Sequence, residues 1–219
     1  MFAKESHAIP AEFSAAKRAC TLRITRNVTS DDLEGMARLR NDNFYTDPCD
    51  PRYASGGVHR QLDVAAMARI HAADPTSHFV LVHDAAEDNH LIACARFTFI
   101  EPDSGAFDKK VHEPLPSVTQ GRAVLNHIII VDRNWRGQNV NVNGTTVKIS
   151  DAIFAERAAF ARDRGCSVAY CDIAVSPVAN LASLRNMTRC GMVELGEAEP
   201  VQRNGLSVRF KRYGMGLRR

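Results

Sequence analysis

The sequence predicts a single α/β (α+β) domain built on a mixed sheet of six or seven strands. Three observations predict it. Stretches of alternating apolar residues follow stretches of helical apolar spacing along the chain, the order expected of strands and helices layered on one sheet. Residues 124–175 read as strand, long helix, strand, which is one β-α-β unit. Hydrophobic residues make up 45% of the 219, enough for a sizeable core in one domain.

Composition narrows the function classes. A formal charge of +3, with arginines scattered and no basic block beyond Arg218-Arg219, argues against nucleic acid as a partner. No apolar run approaches the roughly 20 residues of a membrane span. Lys4, Glu5 and His7 interrupt any signal-peptide core, so a soluble cytoplasmic protein is expected. Six cysteines, at 20, 49, 94, 166, 171 and 190, form no C-x-x-C pair. They read as reduced thiols packed as small hydrophobes, and no metal site is expected. Cys171 alone is kept as a candidate, because it lies in a strand beside the expected reaction centre.

Taken in order, residues 1–20 show no period and read as a flexible N-terminal arm, with the single domain at 21–219. A strand follows at 22–28. Thr29-Ser30-Asp31-Asp32 is a helix start, a hydroxyl cap with acids in the first turn, and Leu33, Met36, Ala37, Arg40 and Phe44 share a face of that helix. Residues 46–58 are a breaker-rich loop. Leu62, Ala66, Met67 and Ile70 mark a second amphipathic helix at 60–72. Strands at 79–82 and 91–99 pair across the polar turn 84–90. Residues 101–121, too polar for core, are expected at the mouth of the site. Strand four spans 124–131, a helix 145–164 with Gly165 as its C′ residue, and strand five 167–175. A helix at 181–190 and a hairpin within 201–215 end the chain.

The chemistry gathers after strand four. Asp132-Arg133-Asn134-Trp135-Arg136-Gly137-Gln138 and an Asn-rich turn, 139–144, lead into the long helix. Strand, polar loop and helix N-terminus aim unpaired N–H groups and the positive helix end at one point, which is a phosphate site. The backbone amides of Gly137, Gln138, Asn139, Val140 and Asn141 would hold a pyrophosphate, with Arg136 adding a charge-assisted contact.

The apolar strand, Asp132, Trp135 and Arg136-Gly137 resemble the "V-D-P-x-(aromatic)-R-G-x-G-x-G" stretch of the GNAT N-acyltransferase superfamily. Asn180, Ser183, Arg185, Gly191 and Met192 match the spacing of its "N-x-x-S-x-R…G-F" segment. The chain departs from the first of these stretches in two ways. Asn139 and Asn141 stand where the superfamily has glycines, and the stretch from Arg136 to Gly165 is long, which predicts a reshaped loop closed by Gly144-Thr145. The resemblance implies a mostly antiparallel sheet with helices on both faces and strands four and five splayed. It implies acetyl-CoA or another acyl-CoA as co-substrate. It also implies that the freed backbone of Ile130 and Val131 binds the pantetheine arm and polarises the thioester carbonyl. Asn180 would hydrogen-bond that arm, although a helix-capping role explains it equally. Met187 occupies the place of a tyrosine that protonates the leaving thiolate in many members, and methionine cannot do so.

His127, after Asn126 in strand four, is either a structural histidine or the general base for the acceptor amine. Asp172 on strand five is the rival base, its pKa open to a rise by desolvation. The function expected is an acyl-CoA-dependent N-acyltransferase, most simply an acetyltransferase. In it an amine attacks the thioester directly within a ternary complex. One alternative is a long-chain N-acyl amino acid or acyl-homoserine-lactone-type synthase fed by acyl carrier protein or acyl-CoA, suggested by Met36-Ala-Arg-Leu-Arg40…Phe44. The other is a non-catalytic CoA-binding module. The partners expected are a small-molecule or peptide amine and, at most, a second copy in a homodimer, with neither nucleic acid nor membrane.

Overall fold

Local signals set the first elements. In the capping box that starts the first helix, the Thr29 N–H donates to Asp32 Oδ2 at 2.8 Å and the Asp32 N–H to Thr29 Oγ1 at 3.2 Å. Helix α1 (Ser30–Asn43) follows strand β1 (Ala19–Thr25), and Arg23 of β1 reaches Asp32 at 2.6 Å to join the two. Asp63 caps α2 (Val64–Ala73) by accepting the Ala66 N–H at 2.6 Å. The computed structural model describes residues 18–43, 49, 62–87, 90–101, 122–203 and 205–217. Apart from residues 18–20, 49 and 101, the expected arm, the 46–58 loop and the 101–121 insert lie outside the described residues, as does Phe44.

The remaining elements are β2 (His78–Asp84), β3 (Leu91–Ile100), β4 (Arg122–Val131), a 3-10 turn (Arg133–Trp135), β5 (Asn139–Val142), β6 (Thr145–Lys148), α3 (Ile149–Asp163), β7 (Cys166–Ser176), α4 (Leu181–Arg189), β8 (Val193–Arg203) and β9 (Leu206–Gly216). The strands form one sheet in the order β6-β5-β1-β2-β3-β4-β7-β9-β8. Among the described residues only β1–β5 and β4–β7 pair in parallel.

Helices cover both faces. On one, Met36 and Leu39 of α1 and Met67 of α2 pack on Phe79, Leu81, Cys94 and Ile130. Gly35 lets α1 lie close to the sheet, since a Cβ there would stand 2.9 Å from Leu91 Cβ. On the other face, Ile149, Ile153 and Phe154 of α3 and Met187 of α4 pack on Val80, Ile92, Val124 and Cys171. Among the described residues no helix is long and apolar enough to cross a membrane.

Two expectations are corrected here. The sheet has nine described strands rather than six or seven, and α3 begins at Ile149 rather than near 145. Both changes come from the hairpin β5–β6. Asn143 (φ 50°) and Gly144 (φ 82°) make its two-residue turn with positive φ at both positions, the type I′ geometry that an Asn-Gly pair favours. Val140 and Val142 point inward and are buried, while Asn139 and Thr145 face solvent. β5 also adds to β1, with Ala19 opposite Asn141.

Candidate active site

The parallel pair β4–β7 starts together and then separates. Its register runs from Arg122 opposite Cys166 to Leu125 opposite Tyr170 and stops. Beyond that point β4 keeps its ladder with β3, and β7 keeps its ladder with β9. The inner edges of 126–131 and 171–176 therefore face one another without strand partners, and backbone groups of that kind need another partner. The wedge between them is a cavity of about 570 Å³.

A bulge at the apex sorts the side chains. Arg96 pairs with Ile128 and Phe97 with Asn126, so the ladder skips His127. Asn126 continues the parity of Val124 and lies on the α3 face, where Val124 packs. His127 lies on the α1 face, its Nε2 2.8 Å from Thr98 Oγ1. His127 is exposed and lines the cavity, where the surrounding protein atoms desolvate part of the ring. That desolvation, with the Arg96 guanidinium nearby, pushes its pKa down to about 4. Arg96 is held in turn by Ser77 Oγ at 2.7 Å and Asp74 Oδ2 at 2.6 Å. His127 is therefore a neutral imidazole at pH 7, able to accept a proton but weakly basic.

Asp172 reaches the same cavity from β7. Both its oxygens are engaged by its cross-strand partner Arg212, at 2.8 Å from Nε and 3.0 Å from Nη2. Such a bidentate pair fixes the carboxylate in place and takes one lone pair on each oxygen. Cys171 turns to the α3 side, packs 3.7 Å from Met192 Sδ and has its thiol pushed up to about 12 by burial. It is an inert core thiol. Cys20, Cys94 and Cys166 are buried thiols like Cys171.

The opposite end of the cavity is formed by Gly137, Lys148, Ile149 and Ser150. Lys148 is the N-cap of α3 and makes no side-chain cap, so the first-turn amides of the helix face the cavity mouth as open donors. The expected phosphate loop is distributed differently. Gly137, at φ 74°, lines the cavity, while Asn139, Val140 and Asn141 lie in β5 opposite Lys148, Val147 and Thr146. Gln138 lies outside the cavity lining, with its N–H bonded to the Trp135 carbonyl at 3.3 Å. Arg136 lines the cavity but spends its guanidinium on protein acceptors, Val131 O at 3.0 Å and Asn43 Oδ1 at 3.2 Å.

Ile130 and Val131 both line the cavity along the freed edge of β4. Asn180 caps α4, accepting the Ser183 N–H at 3.0 Å, and lines the cavity as well. Met187 is buried and forms cavity wall. The structure thus gathers His127, Asp172, Ile130, Val131, Arg136, Gly137 and Asn180 around one space. Lys148, Ser150, Asn126 and Arg157 belong to it too. Asn143-Gly144 is the signal that could have found the hairpin that puts Lys148 at the helix start; nothing in the sequence marked Arg157.

No family model matches the chain, and no curated protein matches it. Solved structures do. NAA60 of Arabidopsis thaliana in complex with acetyl-CoA aligns over 90% of this chain and 98% of its own at 13% identity, with a TM-score of 0.59. An N-acetyltransferase from Staphylococcus aureus aligns over 90% and 99% at 13% identity and TM-score 0.54. The spermidine/spermine N-acetyltransferase SpeG from Vibrio cholerae aligns over 91% and 93% at 16% identity and TM-score 0.52.

Proposed function

We propose that this chain, whose fold is that of the GNAT-type acetyltransferases, is an acyl-CoA-dependent N-acyltransferase, most simply an acetyltransferase. The observation that carries the reading is the unpaired inner edge of β4. It runs from the donor-rich start of α3 at one end to the bulged His127 at the other.

The pyrophosphate would sit on the first-turn amides of α3 and the Gly137 backbone, with Lys148 supplying charge. From there the pantetheine arm would lie along Ile130 and Val131 as an added strand, its amides pairing with the freed backbone. From Val131 back to Asn126 is roughly 17 Å of strand at 3.3 Å per residue. That length carries the arm to the apex where the strands part. Asn180 would hold the arm from the α4 side through its carboxamide.

At the apex the acceptor amine approaches from the α1 face. Its nitrogen attacks the thioester carbonyl while the ammonium proton passes to the neutral His127. The oxyanion is stabilised by backbone donors of the freed edge. The C–S bond then breaks, and the departing thiolate, whose conjugate thiol has a pKa near ~8.5, needs no protein acid at the place of Met187. The aligned SpeG is named for two amines, which supports an amine acceptor. The chain incubated with acetyl-CoA and a panel of polyamines, amino acids and peptides should release free thiol only with its acceptor. CoA binding without thiol release across a broad panel would favour the non-catalytic module.

A further inference from the structure

Arg157 occupies the inward face of α3 and is 2% exposed. None of its three guanidinium nitrogens has a hydrogen-bond partner. Asn126 beside it is 7% exposed, and its Oδ1 is equally unpartnered. Both side chains line the active cavity, and both also bound a small void behind it with Val124, Phe154, Ala158 and Ala169. The Phe154 ring, 5.9 Å from Arg157 Cζ, offers a weak cation–π contact and no acceptor. The titratable groups nearest in effect are Cys171 and Cys190, thiols that burial keeps protonated. Burial lowers the Arg157 pKa only to about 10, so the group stays cationic at pH 7. A buried cation with no acceptor is among the costliest arrangements a core can hold, and here it fronts a cavity.

Its place in the cleft identifies what would satisfy it. Leu125 opposite Tyr170 is the last rung before the strands part, so Asn126 and Cys171 mark the floor of the wedge. His127 and Asp172 stand on the α1 side of that floor, and Arg157 lies beneath it on the α3 side. An acyl group carried down β4 would therefore point its far end at Arg157 and away from the acceptor. An acetyl methyl would leave the guanidinium unpaired, and a long alkyl chain would be buried against a charge. On the acyl-CoA reading given above, we propose that the donor is a dicarboxylic monoacyl thioester of the succinyl class. Its terminal carboxylate is taken by Arg157, with the Asn126 carboxamide beside it. The transfer balances as before. The acceptor nitrogen bonds to the acyl carbon and gives up a proton, the C–S bond breaks, CoA leaves as the thiolate and takes up a proton to become the thiol, and the amide product keeps a free carboxylate.

Calorimetry on the full chain with CoA, butyryl-CoA and succinyl-CoA tests this without knowledge of the acceptor. The two acyl chains match in length and differ in a carboxylate for a methyl. Succinyl-CoA is expected to bind at least about tenfold tighter than butyryl-CoA, as a charge-assisted contact in a desolvated floor requires. Arg157→Met should erase or invert that preference and leave CoA affinity unchanged. Its folding should be retained, because an apolar side chain of similar length replaces an unpaired charge. Arg157→Lys should keep part of the preference. CoA binding with no preference for succinyl-CoA in the unmodified chain would overturn the proposal and spare the CoA reading. Failure to bind CoA at all would overturn both. Heat from free succinate that Arg157→Met abolishes, without a succinyl-CoA preference, would assign the site to a free anion and overturn the thioester assignment.

Discussion

Thr98 Oγ1 stands 2.8 Å from His127 Nε2, a contact made across β3–β4 at the residue that the ladder skips. The bulge turns the imidazole to the α1 face, and the threonine fixes its plane. With a pKa near 4, the ring is neutral over the whole range in which an amine acceptor is used. The acidic limb of kcat/KM that belongs to His127 should therefore lie near pH 4, not near 6.5. His127→Ala should remove it with roughly 10²-fold loss of rate. A limb near 6.5 that persists in the variant would place the base elsewhere.

The same shift reaches stability. The folded pKa of His127 lies below its unfolded value of 6.5, so the unfolded chain takes up the proton first as pH falls. The contribution is complete above about pH 6.5 and is lost between there and about pH 4. His78 and His83, also lowered by burial, act in the same sense. Denaturant midpoints should drop from pH 7 to pH 5, and more shallowly in His127→Gln. An identical slope in the two chains would contradict the shift.

Asp172 and Arg212 offer a second test. Their bidentate cross-strand pair is half-buried, and Asp172→Asn should destabilise the fold by about 1 kcal/mol, with similar coupling in a double-mutant cycle with Arg212→Met. The acidic limb assigned to His127 should survive in Asp172→Asn. Its loss would transfer the proton to β7.

At the phosphate end, Lys148→Ala should weaken CoA binding by about 1–2 kcal/mol, and the loss should shrink as salt rises. Arg136 is tied to Val131 and Asn43, so Arg136→Ala should act mainly on the docking of α1. Its effect should be similar for CoA and for a phosphate-free pantetheine analogue. A larger effect on CoA than that of Lys148→Ala would return the phosphate contact to Arg136.

Much of this was legible in the chain. Thr29 and Asp32 announced α1, and the apolar run before Asp132 announced β4. Asn180 with Ser183 announced the start of α4. What escaped was the hairpin after Gly137. Alternating Val140 and Val142 ahead of Asn143-Gly144 is a hairpin signal, but the interleaved Asn139 and Asn141 are poor strand formers and masked it. Without the hairpin, residues 139–141 read as an open loop, whereas they are paired with β6 in the sheet. Arg157 was illegible for another reason. An arginine in a helical stretch gives no sign of whether it faces solvent or core until the strands opposite are known to part.

The glycines test the hairpin and the α1 contact. Gly144→Ala, at φ 82°, should cost about 1–2 kcal/mol in stability. Gly35→Ala should cost about 1–3 kcal/mol, because its Cβ meets Leu91 Cβ at 2.9 Å. Neutral effects would mean that the turn or the packing is otherwise.

The most direct measurement of the central claim is amide hydrogen exchange with and without acetyl-CoA or succinyl-CoA. Residues 126–131, the freed edge of β4, and residues 149–152 at the start of α3 should gain protection when the ligand binds. Residues 139–142, already paired with β6, should change little. Ligand binding that leaves 126–131 and 149–152 unprotected, or that protects 139–142 instead, would contradict the placement of the acyl-CoA arm between β4 and β7.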